Sequence, residues 1–152
     1  MNELQIRQMQ ISRAKDEIRC CNELNQIYGL TLTEADITEL VELRGQAHRS
    51  TGRVEFGGGI LPKLIRAFCK SPYVDPYNYA ATLGDLQDAF YYFKNESEDR
   101  FSDDDLIEFM EKVFNGQAHG STEVLTTISL EELCRWTRSD FNDRYADEEA
   151  FW

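Results

Sequence analysis

At 152 residues, with 41% hydrophobic and 12% aromatic side chains, the chain is long enough to bury a core without a metal or disulfide staple, and its composition excludes global disorder. It carries 16 basic and 28 acidic residues, a formal net charge of −12, which repels phosphate backbones and anionic lipid: neither nucleic acid nor membrane is an expected partner. No apolar run approaches the ~20 residues of a membrane span, and the opening Met-Asn-Glu-Leu-Gln-Ile-Arg lacks a secretory core, so a cytoplasmic setting is expected.

Three prolines and nine glycines leave long uninterrupted stretches. They favour an all-α fold, a single irregular bundle of about six or seven helices over residues 1–141, with an acidic tail over 142–152. A first helix is predicted from Glu3 to Tyr28. Leu4, Ile11, Ala14, Ile18, Cys21 and Tyr28 share one stripe, interrupted by Arg7 and Asn25. That stripe either packs on the domain or forms a short seam for a homodimer. Gly29-Leu30 reads as a glycine stop. Thr33 with Asp36 resembles a capping box for a second helix, whose face is Ile37, Leu40, Val41, Arg44, Ala47 and His48. Ser50-Thr51-Gly52 ends it, and Arg53 to Phe56 alternates like one short strand. Pro62 suits the first turn of a third helix reaching Lys70, apolar at Leu61, Leu64, Ile65 and Phe68. Asp75-Pro76 opens a fourth helix with Tyr79, Leu83, Leu86, Phe90 and Phe93 inside, and Gly84 within it implies a close helix crossing. Ser102 caps a fifth helix that Gly116 stops; Ser121 opens a short turn; Ser129 with Glu132 caps a last helix bearing Leu133, Trp136 and Phe141.

Charge is uneven along the chain. Residues 1–70 hold 10 basic and 9 acidic side chains, and residues 71–152 hold 6 and 19. The stretch Arg44 to Lys70 carries six cations (Arg44, Arg49, Arg53, Lys63, Arg66, Lys70) against the single acid Glu55, together with His48 and the triplet Gly57-Gly58-Gly59. Successive backbone N–H groups of a glycine turn hold anions, and arginine grips carboxylate or phosphate in two places. Arg44, His48, Arg49, Arg53, Gly57, Gly58 and Gly59 are therefore the candidate ligand site. Against this stand structural readings: Arg44 and His48 at the negative end of a helix, Arg44 tied to Glu55 or Asp85, and glycines that merely permit a turn. Lys63, Arg66 and Lys70 lie opposite the apolar face of the third helix. In Phe90-Tyr91-Tyr92-Phe93 at least one tyrosine must leave the core stripe, so these five residues are the candidate partner surface.

Other chemistry fails on spacing. Gly52 to Gly58 starts like a phosphate loop but lacks its lysine and following hydroxyl. Lys94 to Asp105 resembles a calcium loop with lysine at the first ligand position and Asp99 where glycine makes the turn. Cys20, Cys21, Cys69 and Cys134 form no CxxC pair, and His48 and His119 lack ligand spacing, so no metal, cofactor or catalytic residue is expected.

Four segments, Tyr-Gly-Leu-Thr-Leu-Thr from Tyr28, Arg-Ser-Thr-Gly-Arg-Val-Glu-Phe-Gly from Arg49, Ala-Phe-Cys-Lys-Ser-Pro-Tyr from Ala67 and Phe-Tyr-Tyr-Phe-Lys-Asn-Glu-Ser from Phe90, are similar to those of an uncharacterised family of small acidic proteins from anaerobic Gram-positive bacteria, a domain of unknown function. The similarity reaches about Trp136. It implies a bacterial, cytoplasmic protein and brings no catalytic residues. The sequence then favours a non-catalytic module docking on an unidentified protein partner. The alternative is a small-molecule or anion-binding protein, enzyme or not, with its site at the glycine turn.

Overall fold

A computed structural model describes residues 2–55, 57–128, 132, 133 and 135. Seven helices follow in order among them: α1 (Glu3–Cys20), α2 (Asn22–Ile27), α3 (Glu34–Thr51), α4 (Leu61–Phe68), α5 (Tyr79–Glu96), α6 (Asp103–Asn115) and α7 (Thr122–Thr126). The all-α expectation holds. No strand occurs among the described residues: Arg53 to Glu55 run as irregular loop, because nothing lies alongside to complete a ladder, and Phe56 lies outside the description. The acidic tail and the cap expected at Ser129, with Trp136 and Phe141, also lie outside it.

The expected first helix is two. Around Cys21 the bonding tightens, Cys21 N–H donating to Ile18 O at 3.0 Å, and α2 starts again at Asn22. Gly29 then adopts φ 72° and Leu30 N–H bonds Asn25 O at 2.9 Å, the glycine stop that was expected. Asn25, which broke the apolar stripe, is fully buried and accepts from Tyr79 Oη at 2.7 Å, so it joins α2 to α5. Only Ala14 and Ile18 of the stripe are buried within α1; Leu4, Ile11 and Tyr28 are exposed. For Ile11 the reason is spatial: a cavity, described below, lies between that part of α1 and α3.

Thr33 and Asp36 form the reciprocal capping box, with bonds of 3.1 and 2.9 Å, and Gly52 at φ 72° closes α3. α5 is the central element, packed against α3, α4, α6 and α7, with Leu83, Leu86, Phe90 and Phe93 buried. Gly84 allows the α3–α5 crossing: a Cβ there would lie 3.2 Å from the Leu43 side chain. Asp75 does not cap α5 directly; its carboxylate accepts from Tyr77 and Asn78 N–H at 2.8 and 2.9 Å, forming a turn before the helix starts at Tyr79. Ser102 and Ser121 cap α6 and α7 as expected. No helix among the described residues is long and apolar enough to cross a membrane.

Candidate functional site

The 3.6-residue period places Arg44 and His48 one above the other on α3. Gly52 turns the chain so that the loop over residues 53–60 runs back along that face. Glu55 lands on His48 Nε2, which donates to its carboxylate at 2.7 Å, and the hydroxyl of Tyr91 from α5 donates to the same oxygen. Tyr91 is buried, and burial together with Glu55 pushes its hydroxyl pKa upward, so it stays a neutral donor. Arg53 binds Asn95 Oδ1 at 2.6 Å and pairs with Asp99, fixing the loop to the end of α5.

Arg44 is only 6% exposed. Its Nη1 donates to the Gly57 carbonyl, and it makes no ion pair with any described carboxylate. Glu55 and Asp85, its expected structural partners, are engaged elsewhere: Glu55 with His48 and Tyr91, and Asp85 with the Thr122 hydroxyl at 3.3 Å. A buried guanidinium without a counter-charge is costly, by several kcal/mol before compensation.

Arg44 lines a cavity of about 680 Å³ between α1 and α3. From α1 come Arg7, Gln10, Ile11 and Lys15. From α3 come Thr38, Val41, Glu42, Arg44, Gly45, Gln46, His48 and Arg49. From the loop come Arg53, Val54 and Glu55. Five cations face two carboxylates, a balance of +3 with His48 neutral, in a chain of formal charge −12. Arg7 and Arg49 have no hydrogen-bond or ion-pair partner among the described residues. The volume lies in the range of small-molecule sites. Gly45 lies mid-helix, where glycine costs about 1 kcal/mol relative to alanine. No packing requires it, since a Cβ there would meet only the flexible Arg49 tip, at 3.3 Å.

The candidate ligand residues thus divide. Arg44, His48, Arg49 and Arg53 converge on the cavity; Gly57, Gly58 and Gly59 do not line it. The glycine turn does hold an anion, but one supplied by α1: Gly58 N–H donates to Glu17 Oε2 at 2.5 Å. A Cβ on Gly57 would come within 2.5 Å of the same carboxylate, and one on Gly59 within 2.7 Å of Glu55. These glycines are required by the close approach of two internal carboxylates.

The candidate partner residues scatter. Lys63 pairs with Asp104 at 2.8 Å and holds that carboxyl below the usual aspartate range; with Arg66 the pair lines a separate depression between α4 and α6. Lys70 lies 3.8 Å from Glu111. Tyr91 points inward to Glu55, whereas Tyr92 is exposed and lines a groove between α5 and α7 with Asp85, Asp88 and Glu123. The degenerate calcium loop is closed by its own lysine, Lys94, which pairs with Asp103 and donates to Phe101 O at 2.8 and 2.6 Å. His119 bonds Tyr73, and Cys134 lies outside the described residues. Among the described residues no group of three or more His, Cys, Asp or Glu could hold a metal ion.

Sequence reasoning missed Arg7, Lys15 and Glu17. A signal was available for Arg7: a cation on the same stripe as Ile11, Ala14 and Ile18 marks where that stripe leaves the core.

Neither the curated proteins nor the solved structures contain a match to the chain. A family model, described as a family of unknown function, matches residues 17–143, which takes in α2 to α7 and therefore Arg44, Gly45, His48 and Arg49. Over five-sixths of its length, the chain accordingly belongs to the DUF6323 family.

Proposed function

We propose that the protein binds a small anionic ligand in the cavity between α1 and α3. The observation that carries this reading is Arg44: a buried guanidinium with no described carboxylate partner, opening onto a cavity shared with four other cations. An entering phosphate or carboxylate would supply the missing counter-charge through paired N–H···O bonds. The site lies beside the glycine turn, which Glu17 already occupies. The test is thermal unfolding of the full chain against inorganic phosphate, pyrophosphate and citrate. At a hundred times Kd a bound anion stabilises by about 2.7 kcal/mol. No stabilisation by any of them, at constant ionic strength, would end this reading.

A second reading, docking on a protein partner, draws on exposed Tyr92 beside Asp85, Asp88 and Glu123, a groove suited to a basic surface. Tyr92→Ala with Asp88→Asn should abolish co-purification of the partner; unchanged capture would count against it. Self-association through α1 draws on exposed Leu4, Ile6, Met9 and Ile11, and sedimentation showing a monomer at high concentration would remove it. The setting we propose is the bacterial cytoplasm, a reading that rests on the resemblance of the four sequence segments and on the lack of CxxC spacing among the four cysteines.

A further inference from the structure

Gly45 has no structural duty that explains it. Gly84, the other mid-helix glycine, meets Leu43 across a helix crossing, whereas Gly45 lines the cavity with only the tip of the Arg49 side chain near the missing Cβ. Its absent side chain leaves a bare patch of α3 backbone on the cavity wall. The same cavity is lined by three apolar side chains, Ile11, Val41 and Val54, of which Ile11 and Val54 are 38% and 77% exposed. The cavity, at about 680 Å³, is far larger than one anionic group needs.

We infer that the ligand is an organic phosphate monoester whose flat apolar body lies on the Gly45 patch while its phosphate meets Arg44 and Arg49. This rests on the anion-binding reading above and specifies its ligand. With Arg53 already paired to Asp99, a dianion matches the +2 that remains in the lining, and arginine forks match phosphate oxygens in geometry. Apolar contact with Ile11 and Val54 removes two exposed hydrophobic side chains from water. A methyl at position 45 would stand where the ligand body lies, so Gly45 is the specificity-determining residue of the site.

The experiment is calorimetric titration of the full chain and of Gly45→Ala with three probes: inorganic phosphate, phenyl phosphate and benzoate. For the native sequence, phenyl phosphate should bind about tenfold tighter than phosphate, the gain coming from burial of the ring. Gly45→Ala should raise Tm, by roughly 2–4 °C, and lose the phenyl advantage over inorganic phosphate. If phosphate binds but phenyl phosphate binds no better, or if Gly45→Ala binds phenyl phosphate unchanged, this inference fails and the anion site stands. If benzoate outcompetes phenyl phosphate, the phosphate assignment is wrong. If none of the probes binds, both the inference and the reading beneath it fall.

Discussion

Arg44→Met separates a ligand-binding arginine from a structural one. The substitution keeps much of the side-chain length and removes the charge. Lost is one charged hydrogen bond to the Gly57 carbonyl, worth about 1.5–3 kcal/mol. Relieved is the burial of a guanidinium that is 6% exposed and has no described carboxylate partner, a penalty of several kcal/mol. The balance favours the variant by about 1 kcal/mol, or roughly 2–4 °C in Tm for a chain of this size. In inorganic phosphate at a hundred times Kd, the native sequence should gain about 2.7 kcal/mol, near 5–10 °C, and the variant should gain almost nothing. Differential scanning fluorimetry at fixed ionic strength, with and without phosphate, reads both quantities. A variant that melts several degrees lower, with its phosphate shift intact, would refute the reasoning and make Arg44 a clamp on the loop at Gly57.

Glu17→Gln replaces a charged acceptor of the Gly58 N–H by a neutral one and should destabilise the fold by about 1–2 kcal/mol in urea unfolding; an unchanged midpoint would show that the glycine turn stands without it. Gln87 is fully buried; among the described residues its Oε1 has no hydrogen-bond partner and its amide donates only to Leu40 O, at 3.3 Å. Gln87→Met should therefore be neutral or stabilising by up to about 1 kcal/mol. Burial, then the charge of Asp85, raises the Asp88 pKa. The folded state thus binds more protons than the unfolded one between the ordinary value of 3.8 and the raised value, and ionising Asp88 weakens the fold. Asp88→Asn should stabilise modestly at pH 7, by a few tenths of a kcal/mol for so exposed a group. That advantage should fade as pH falls through the raised pKa and vanish below about 3.8, which denaturation midpoints across pH 3–7 would show.

Local signals in the sequence were read well where they are chemically specific. The Thr33–Asp36 box, the stop at Gly29-Leu30, the Ser102 and Ser121 caps and the crossing at Gly84 all depend on one or a few neighbouring residues. Errors arose where tertiary contact overrides local pattern. The stripe on α1 continues on paper through Leu4 and Ile11, but only a neighbouring element decides whether such a stripe is buried, and at Ile11 α3 stands off across a cavity. Asn25 looked like an interruption because its partner, Tyr79, is 54 residues away.

The cation cluster shows the same division. That Arg44, His48, Arg49 and Arg53 meet was legible, since one helix and the loop after it hold them. That Lys63 and Lys70 meet acids of α6 was not: Lys63 lies on α4 and Lys70 just beyond its end, and only the packing of α4 on α6 brings Asp104 and Glu111 to them. Nor was the identity of the anion in the glycine turn legible. Glycine geometry specifies a carboxylate-sized nest, and only the packing of α1 on α4 delivers Glu17 into it.

The most direct measurement is a titration of the isotopically labelled 152-residue chain with inorganic phosphate, followed through backbone amide resonances. The expected result is a set of saturable shifts concentrated at Arg7, Lys15, Arg44, Gly45, Arg49 and Arg53, with Lys63, Arg66 and Lys70 unmoved. Shifts centred on the α4 cations, or none beyond the effect of an equal ionic strength of chloride, would contradict it.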